Sequence, residues 1–131
     1  MKKLFTIVVL LTAILNADIV WQKDIVTAFE LAKKENKTVM VFVESENCRW
    51  CKKMKKNTLS DEKVIKSVNS FISVKVFREN QEAVKQLPNI QGVPTVFFMS
   101  ADKKIIETSI GYYSVEDFLS YINDVKKKTK L

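Results

Sequence analysis

Apolar positions along the chain repeat at two different spacings, which predicts a chain of alternating helices and strands. Within residues 24–35 they recur at three- and four-residue intervals, the spacing of a buried helix face, and Asn36 follows as a stop signal. Residues 39–43 instead form a continuous apolar run of strand length, the pattern of a strand that is buried on both faces. These two segments therefore predict a helix followed by a central strand.

The rest of the sequence continues this alternation, with Ser60 and Ser114 as predicted helix caps, the latter in a capping box with Asp117. The last two strand-like runs flank a short polar turn, so they predict an antiparallel hairpin. The resulting order, α-β-α-α-β-α-β-β-α, predicts an α/β layer fold. The segments after the first strand are helices at about 48–57, after Ser60 and at 80–87, strands at 71–77, 95–99 and 105–110, and a helix after Ser114.

The composition restricts the chemistry of this predicted domain. The chain has 131 residues, which fits one domain, and its 47% of apolar residues is typical of a globular protein. It contains no histidine, so it offers no Ser–His or Cys–His dyad, no histidine-ligated metal and no imidazole base. Its two cysteines cannot complete a zinc site with four ligands unless two chains share it, and they cannot form a framework of several disulfides. What remains is one domain with at most one redox pair.

The N-terminal residues have the pattern of a secretory signal peptide. Two lysines precede an uncharged, mostly aliphatic stretch from Leu4 to Ala17, which is too short to cross about 30 Å of hydrocarbon as a helix. Cleavage after Ala17 would divide the chain into a signal peptide at 1–17 and a domain at 18–131. Leu15 is larger than the residue usually found three places before the cut, and an uncleaved anchor is the alternative. We expect the protein to work in the periplasm or another extracytoplasmic compartment, where disulfides persist.

The two cysteines stand in a Cys-x-x-Cys motif, Cys48-Arg49-Trp50-Cys51, directly after the first buried strand and at the start of a helix. Zinc ribbons use the same spacing, but the other two ligands are missing here. A purely structural disulfide is a second alternative, although closing so short a loop stabilises a fold by only about 2 kcal/mol, less than a bridge between distant residues. The motif therefore favours a redox couple without a metal.

The position of the motif predicts different roles for the two cysteines. At a helix N-terminus, free N–H groups and the helix dipole favour an anion, so the pKa of Cys48 is expected to be lowered. Arg49, Lys52 and Lys53 add positive charge nearby. Cys51 falls inside the first turn and is expected to be more buried, which makes it the resolving thiol. The lysines at 52, 53, 55 and 56 are interpreted as a solvated helix face, with Lys52 as the exception.

A second motif, Gly92-Val93-Pro94-Thr95, stands directly before an apolar strand. Taken alone, Pro94 is a residue of an edge or a turn. Together with the upstream Cys-x-x-Cys, the motif resembles the cis-proline loop of the thioredoxin superfamily, and the resemblance runs over about 21–125. Further matches are Lys75, in the strand that follows the Cys-x-x-Cys motif, and Gly111, after the hairpin. The sequence is most similar to the secreted, periplasmic thioredoxin-like proteins that include the C-terminal domain of DsbD, which share its pattern around Trp21, 35–37 and 57–61.

The resemblance implies a fold and a set of site residues. The fold is a mixed sheet of four to five strands with helices on both faces. Cys48 would attack a substrate disulfide and Cys51 would resolve the mixed disulfide. Val93, before a cis Pro94, would offer its backbone to an extended substrate segment. Trp50 would present a flat apolar contact at the rim of the site, although an aromatic residue of the core is the alternative.

The sequence also departs from the pattern of the superfamily. Thioredoxins usually place a buried carboxylate six residues before the first cysteine, where Phe42 stands in this chain. Lys75 matches the lysine that normally partners that carboxylate. Glu44, four residues before Cys48, either replaces the missing proton acceptor or lies on the surface. Arg49-Trp50 between the cysteines adds a cation, which should stabilise the thiolate and make the couple more oxidising.

These observations predict an extracytoplasmic thiol–disulfide oxidoreductase that reduces or isomerises protein disulfides. The resemblance implies a membrane thiol-reductant donor of the DsbD/CcdA kind, a monomer and no cofactor. The alternative is a binding module of thioredoxin fold that captures exposed polypeptide segments without catalysis. The basic stretch at 126–130 is interpreted as a helix end stabilised by cations, and not as a nucleic-acid or membrane-binding tail. The direction of electron flow, the substrate and the donor stay open.

Overall fold

The structure is a computed structural model that describes residues 17–130. The predicted signal peptide lies outside the described residues except for Ala17, so the structure does not test it. Within the described part of the chain, the helices are α1 (Ile25–Glu35), α2 (Arg49–Asn57), α3 (Glu62–Val68), α4 (Gln81–Val84) and α5 (Val115–Thr129). The strands are β1 (Trp21–Gln22), β2 (Val39–Glu44), β3 (Ile72–Phe77), β4 (Thr95–Met99) and β5 (Ile105–Ile110).

The strands of residues 17–130 form one mixed sheet of five strands in the order β1-β3-β2-β4-β5. β3 pairs in parallel with both β1 and β2, whereas β4 runs antiparallel to β2 and to β5. The hairpin predicted for the last two strands is therefore confirmed. Because of these directions, the C-terminal ends of β2, β3 and β5 and the N-terminal end of β4 meet at the same end of the sheet.

Two apolar layers enclose this sheet, which confirms the α/β prediction with helices on both faces. Residues of α2, α3 and α5 pack against one face, where Met40 and Phe42 of β2 point. Residues of α1 and α4 pack against the other face, where Val39, Val41 and Val43 point. Every residue of β2 is buried, so the continuous apolar run does belong to a central strand that is covered on both sides.

Helix ends follow the short polar side chains of the sequence, with one correction. The Oγ of Ser114 accepts a hydrogen bond from the N–H of Asp117 at 3.2 Å, as the capping box predicts. The prediction that Ser60 caps α3 is wrong. Asp61 is the cap, because its carboxylate accepts from the N–H groups of Lys63 and Val64, whereas Ser60 donates to the carbonyl at the end of the preceding helix.

Two elements differ in extent from the prediction. The strand β1 was not predicted, since its two residues are too few to show an alternating pattern; Trp21 pairs with Ser73 and Gln22 with Val74. The helix predicted at 80–87 is α-helical only over Gln81–Val84. The N–H groups of Gln86 and Leu87 then donate to carbonyls three residues earlier, and Pro88 follows, which has no N–H to continue the ladder. No helix within 17–130 is both long and apolar enough to cross a membrane.

Candidate active site

The Cys-x-x-Cys motif follows the central strand β2 and forms the start of α2. Cys48 is the N-cap of α2, with extended backbone dihedral angles (φ −98°, ψ 105°), and its sulfur accepts a hydrogen bond from the N–H of Cys51 at 3.1 Å. Cys48 and Cys51 are joined in a disulfide, with their Cα atoms 5.2 Å apart. A sulfur atom thus occupies the capping position that an oxygen takes in the other helices, where the free N–H groups of the first turn point.

The two cysteines differ in their access to solvent. Cys51 is fully buried and belongs to the apolar core together with Phe42 and Met54, whereas Cys48 is only half-buried at the margin of that core. Cys48 is therefore the more accessible cysteine of the pair, while Cys51 is closed off from solvent. This is the asymmetry that the sequence predicts.

The loop before β4 lies beside the motif because β4 runs antiparallel to β2. Val43 pairs with Thr95, so Pro94 lies at the C-terminal end of β2. The peptide bond between Val93 and Pro94 is cis, as the resemblance implies. The loop is held from both sides: the hydroxyl of Thr95 donates to the carbonyl of Gly92 at 2.7 Å, and the N–H of Gly111 donates to the carbonyl of Pro94 at 2.7 Å.

A shallow groove runs past this loop. Its volume is ≈ 370 Å³ and it is lined by Trp50, Val93, Pro94, Gly111 and Tyr112. Gly111 has φ +95°, a left-handed conformation that side chains rarely adopt, and this turns the chain from β5 into the groove wall. The groove therefore combines an aromatic wall from α2 with backbone from the segment before β4.

Aromatic and cationic side chains form the wall of the groove next to α2. Trp50 is 47% exposed and packs against Tyr112 with their ring centroids 5.9 Å apart, so the alternative of a core aromatic residue is excluded. The ammonium group of Lys53 lies 4.8 Å from the Trp50 ring centroid and 4.7 Å from that of Tyr112. The guanidinium of Arg49 lies 5.7 Å from the Trp50 ring. These are cation–π distances, and they place positive charge at the groove wall.

Glu44, the last residue of β2, is buried with only 3% exposure, which rules out the surface alternative. Its Oε1 accepts a hydrogen bond from the Nζ of Lys55 on α2 at 2.5 Å, and the side chains of Glu44 and Lys55 are 4% and 39% exposed. Lys55 is therefore not part of a solvated helix face, which corrects that interpretation for this lysine. The pair joins a carboxylate inside the protein to an ammonium group that reaches water.

Lys75 does not partner this carboxylate. It stands opposite Phe42 in the sheet register, its side chain is exposed, and its Nζ lies 5.1 Å from the ring centroid of Trp21. The residue that would carry the usual carboxylate, Phe42, is fully buried and apolar. In this chain the lysine of the superfamily pattern is thus kept, but its contact is an aromatic ring.

Two side-chain hydrogen bonds connect segments near the site. The hydroxyl of Ser45 donates to Glu79, which connects the loop before Cys48 to the turn after β3 and lowers the pKa of the Glu79 carboxyl. Behind Tyr112, the hydroxyls of Tyr113 and Tyr121 lie 3.3 Å apart. This hydrogen bond, together with burial, raises the pKa of Tyr113 to about 12.

Sequence reasoning missed Tyr112 and Lys55 as residues of the site, and it missed the contact of Lys53 with two aromatic rings. Tyr112 carries no motif, and only the sheet order brings it to Trp50. The sequence predicts Lys53 only as a nearby cation on a solvated helix face, and Lys55 only as a solvated lysine. Their signal was the helical spacing, because Lys55 follows Cys51 by four residues and so lies on its face of the helix, and Lys53 follows Trp50 by three.

Comparison with known proteins identifies the class. Residues 25–126 match the family described as a thioredoxin-like domain, so the chain belongs to that family, and the resemblance stated from the sequence is confirmed. Among curated relatives, the thiol:disulfide interchange protein DsbD of Campylobacter jejuni (strain RM1221) is 29% identical over 107 residues, which cover 76% of this chain and 19% of DsbD. The chain thus spans about a fifth of the length of that relative.

Solved structures agree on the fold. A thioredoxin from Thermus thermophilus superposes with a TM-score of 0.68 at 24% identity, covering 84% of this chain and 88% of the thioredoxin. The C-terminal domain of DsbD from Neisseria meningitidis, in its oxidised form, gives a TM-score of 0.64 at 21% identity, over 75% of this chain and 89% of that domain. The protein therefore has the thioredoxin-like oxidoreductase fold, with its Cys48 and Cys51 joined in a disulfide.

Proposed function

We propose that this protein is an extracytoplasmic thiol–disulfide oxidoreductase that reduces or isomerises protein disulfides. The observation that carries the proposal is the asymmetric pair at the start of α2: Cys48 is half-buried beside the Pro94 loop, and Cys51 is fully buried behind it. A disulfide that served only for stability would need neither this difference in access nor a groove beside the accessible sulfur.

The proposed reaction consists of two thiol–disulfide exchanges. In the reduced protein, the Cys48 thiolate attacks one sulfur of a substrate disulfide; a Cys48–substrate bond forms, the substrate S–S bond breaks, and the released thiolate takes up a proton. Cys51 then gives up its proton and attacks the Cys48 sulfur, which forms the Cys48–Cys51 disulfide and releases the second substrate thiol. The substrate gains two electrons and two protons, and the protein is left in the oxidised form described above. In isomerisation, a substrate thiol attacks the mixed disulfide instead.

The surroundings of Cys48 support its role as the attacking thiolate. The N–H of Cys51 points at its sulfur at 3.1 Å, and the positive end of the α2 dipole favours an anion there. Arg49, the first residue of the helix, adds a cation. These groups are fixed by the helix, so they are in place before a substrate arrives.

Glu44 supports the second step as the acceptor of the Cys51 proton. Glu44 lies two residues beyond Phe42 in β2, so its side chain points to the same face of the sheet as the core around Cys51. Lys55 lies on the same face of α2 as Cys51, one helical turn further on, and its bond to Glu44 places the carboxylate between β2 and α2. Glu44 and Lys55 thus replace the carboxylate and lysine that the superfamily pattern places at Phe42 and Lys75.

The proposed extracytoplasmic location rests on the uncharged segment from Leu4 to Ala17 and on the similarity to DsbD. In such a compartment the pair needs an electron source, and we propose a membrane thiol-reductant of the DsbD/CcdA kind, acting on a monomer. Val93 and Pro94 would receive either this donor or the substrate as an extended segment. Cell fractionation and N-terminal sequencing test the location: we expect a soluble extracytoplasmic protein that begins at Asp18, and a cytoplasmic protein that retains Met1 would contradict it.

Insulin reduction with dithiothreitol as electron source tests the enzymatic activity. We expect the protein to accelerate precipitation of the insulin B chain, and Cys48→Ser to reduce the rate to the dithiothreitol background. Lys33→Met is the matched control, because Lys33 is an exposed residue of α1 on the opposite face of the sheet, and it should keep the full rate. A rate for the unaltered protein at the background level would refute the enzyme and leave the binding module as the alternative.

A further inference from the structure

We propose that the substrate segments this protein accepts are acidic, and that the exposed side of α2 selects them by charge. This inference rests on the proposed function, since it names the class of substrate for the same site. It concerns a surface that we call the cationic face. The cationic face consists of the exposed α2 residues Arg49, Lys52, Lys53 and Lys56.

The cationic face has no acidic partner among the residues that the structure describes. Ion pairs within 4.0 Å in the described range 17–130 engage only the lysines at 37, 55, 85 and 128, and none of these belongs to the face. Of the cations of α2, only Lys55 turns inward, to Glu44. The helix thus uses one lysine for an internal ion pair and leaves its other cations exposed, without a carboxylate partner in the described range.

The cationic face is continuous with the groove beside Cys48. Lys53 lies 4.8 Å and 4.7 Å from the ring centroids of Trp50 and Tyr112, and these two rings line the groove. Its ammonium group is thus held at the wall past which an extended segment bound at Val93 must run. Lys52 and Lys56 follow on the same helix, and together with Arg49, Lys53 and the groove residue Trp50 they line an adjoining depression. At physiological salt, charges act over a screening length of about 8 Å, so the cations nearest the groove contribute most.

The acidic residues around the site do not cancel this charge. The carboxylate of Glu44 is buried and paired with Lys55. The carboxylate of Glu79 keeps its charge, because the hydrogen bond from Ser45 lowers its pKa, but Glu79 and Glu46 are two anions against the four cations of the face. Glu46, in the loop before Cys48, is exposed. Positive charge therefore dominates the α2 side of the groove, where it attracts a segment rich in Asp and Glu and repels one rich in Lys and Arg.

Two peptides of equal length, each with one disulfide, test the inference. One has Asp and Glu beside the disulfide, and the other has Ser and Gln at the same places. The purified protein reduces each peptide with dithiothreitol as electron source, and the measured quantity is the ratio of the two kcat/KM values at low ionic strength. Because both peptides meet the same Cys48–Cys51 couple, the ratio cancels any effect of a variant on its reduction potential.

The variant Lys52→Glu/Lys56→Glu reverses two charges of the cationic face without touching the groove lining. The matched control is Lys33→Glu/Lys34→Glu, which makes the same change of net charge at two exposed positions of α1 on the other face of the sheet. We expect a preference for the acidic peptide of about fivefold to tenfold in the unaltered protein. The preference should disappear in the first variant, persist in the second, and fall as salt is added.

The possible failures are distinguishable. A ratio of one in the unaltered protein, or a preference that both double variants reduce equally, would overturn the inference and leave the oxidoreductase proposal intact. If neither peptide is reduced faster than by dithiothreitol alone, the proposed function fails, and the inference fails with it.

Discussion

The ion pair between Glu44 and Lys55 gives the sharpest energetic prediction of this structure. Breaking a fully buried ion pair by removing one partner costs about 3 to 5 kcal/mol, whereas exposed pairs contribute about 0 to 1 kcal/mol. Here the side chain of Glu44 is 4% exposed and that of Lys55 is 39% exposed. Replacing Lys55 should therefore lower the free energy of unfolding more than replacing Glu44.

Lys55→Met leaves a carboxylate in the core without its cation, so we expect the free energy of unfolding to fall by about 2 to 3 kcal/mol. Glu44→Leu leaves an ammonium group that can turn to water, so its cost should stay near about 1 kcal/mol. The double variant leaves no unpaired charge and should be no less stable than Glu44→Leu alone. The cycle then yields a coupling energy of about 2 to 3 kcal/mol.

Urea unfolding of the oxidised protein measures these differences. With a slope of about 2 kcal/mol per molar urea, the midpoint of Lys55→Met should lie about 1 M lower than that of the unaltered protein. The matched control is Lys85→Met, because Lys85 pairs with Glu82 at 3.0 Å while both side chains are exposed, 69% and 84%. Its midpoint should barely move. Equal midpoints for Lys55→Met and Lys85→Met would refute the claim that Glu44 is a buried charge held by Lys55.

Two further predictions concern the groove and the tyrosine pair. Trp50→Ala should lower kcat/KM for insulin about fivefold without changing the reduction potential. The control is Ile105→Ala, at a similarly exposed apolar residue at the far end of β5, which should change neither kcat/KM nor the potential. Equal losses in the two variants would argue against substrate contact at Trp50. In an alkaline titration followed by tyrosine absorbance, the Tyr113 hydroxyl should titrate with a pKa of about 12, above its ordinary value of 10.0. Tyr121→Phe removes the hydrogen-bond acceptor and should shift the pKa of Tyr113 towards 10.0. Because the pKa of Tyr113 is raised in the folded protein, the protonated hydroxyl contributes fully to the free energy of unfolding below pH 10.0, and this contribution is lost as the pH rises through about 12. A free energy of unfolding that increases over this interval would contradict the hydrogen bond.

Most of the fold could be predicted because its elements are long enough to carry a periodic pattern. β2 and β4 are continuous apolar runs, and their bounds agree with the prediction to within one residue. β1 could not be predicted, since two residues show no alternation and its place depends on the pairing with β3. At 60–61, two adjacent residues could both cap α3, and only the local backbone selects Asp61.

The residues of the site likewise include some that the local sequence predicts and some that only the folded chain brings together. Cys48 and Cys51 could be assigned from one helix start, because the capping geometry is local. Glu44 and Lys55 could not be paired from the sequence, since they are 11 residues apart on different elements and meet only when α2 packs onto the sheet. Tyr112 likewise reaches Trp50 only through the antiparallel pairing of β4 and β5.

The central claim is that Cys48 exchanges with substrate disulfides and Cys51 resolves the product. Mass spectrometry of the single-cysteine variants after incubation with oxidised insulin tests it most directly. We predict that Cys51→Ser accumulates a mixed disulfide located at Cys48, and that Cys48→Ser accumulates almost none, because Cys51 is fully buried. Equal labelling of both variants, or no mixed disulfide in Cys51→Ser, would contradict this account.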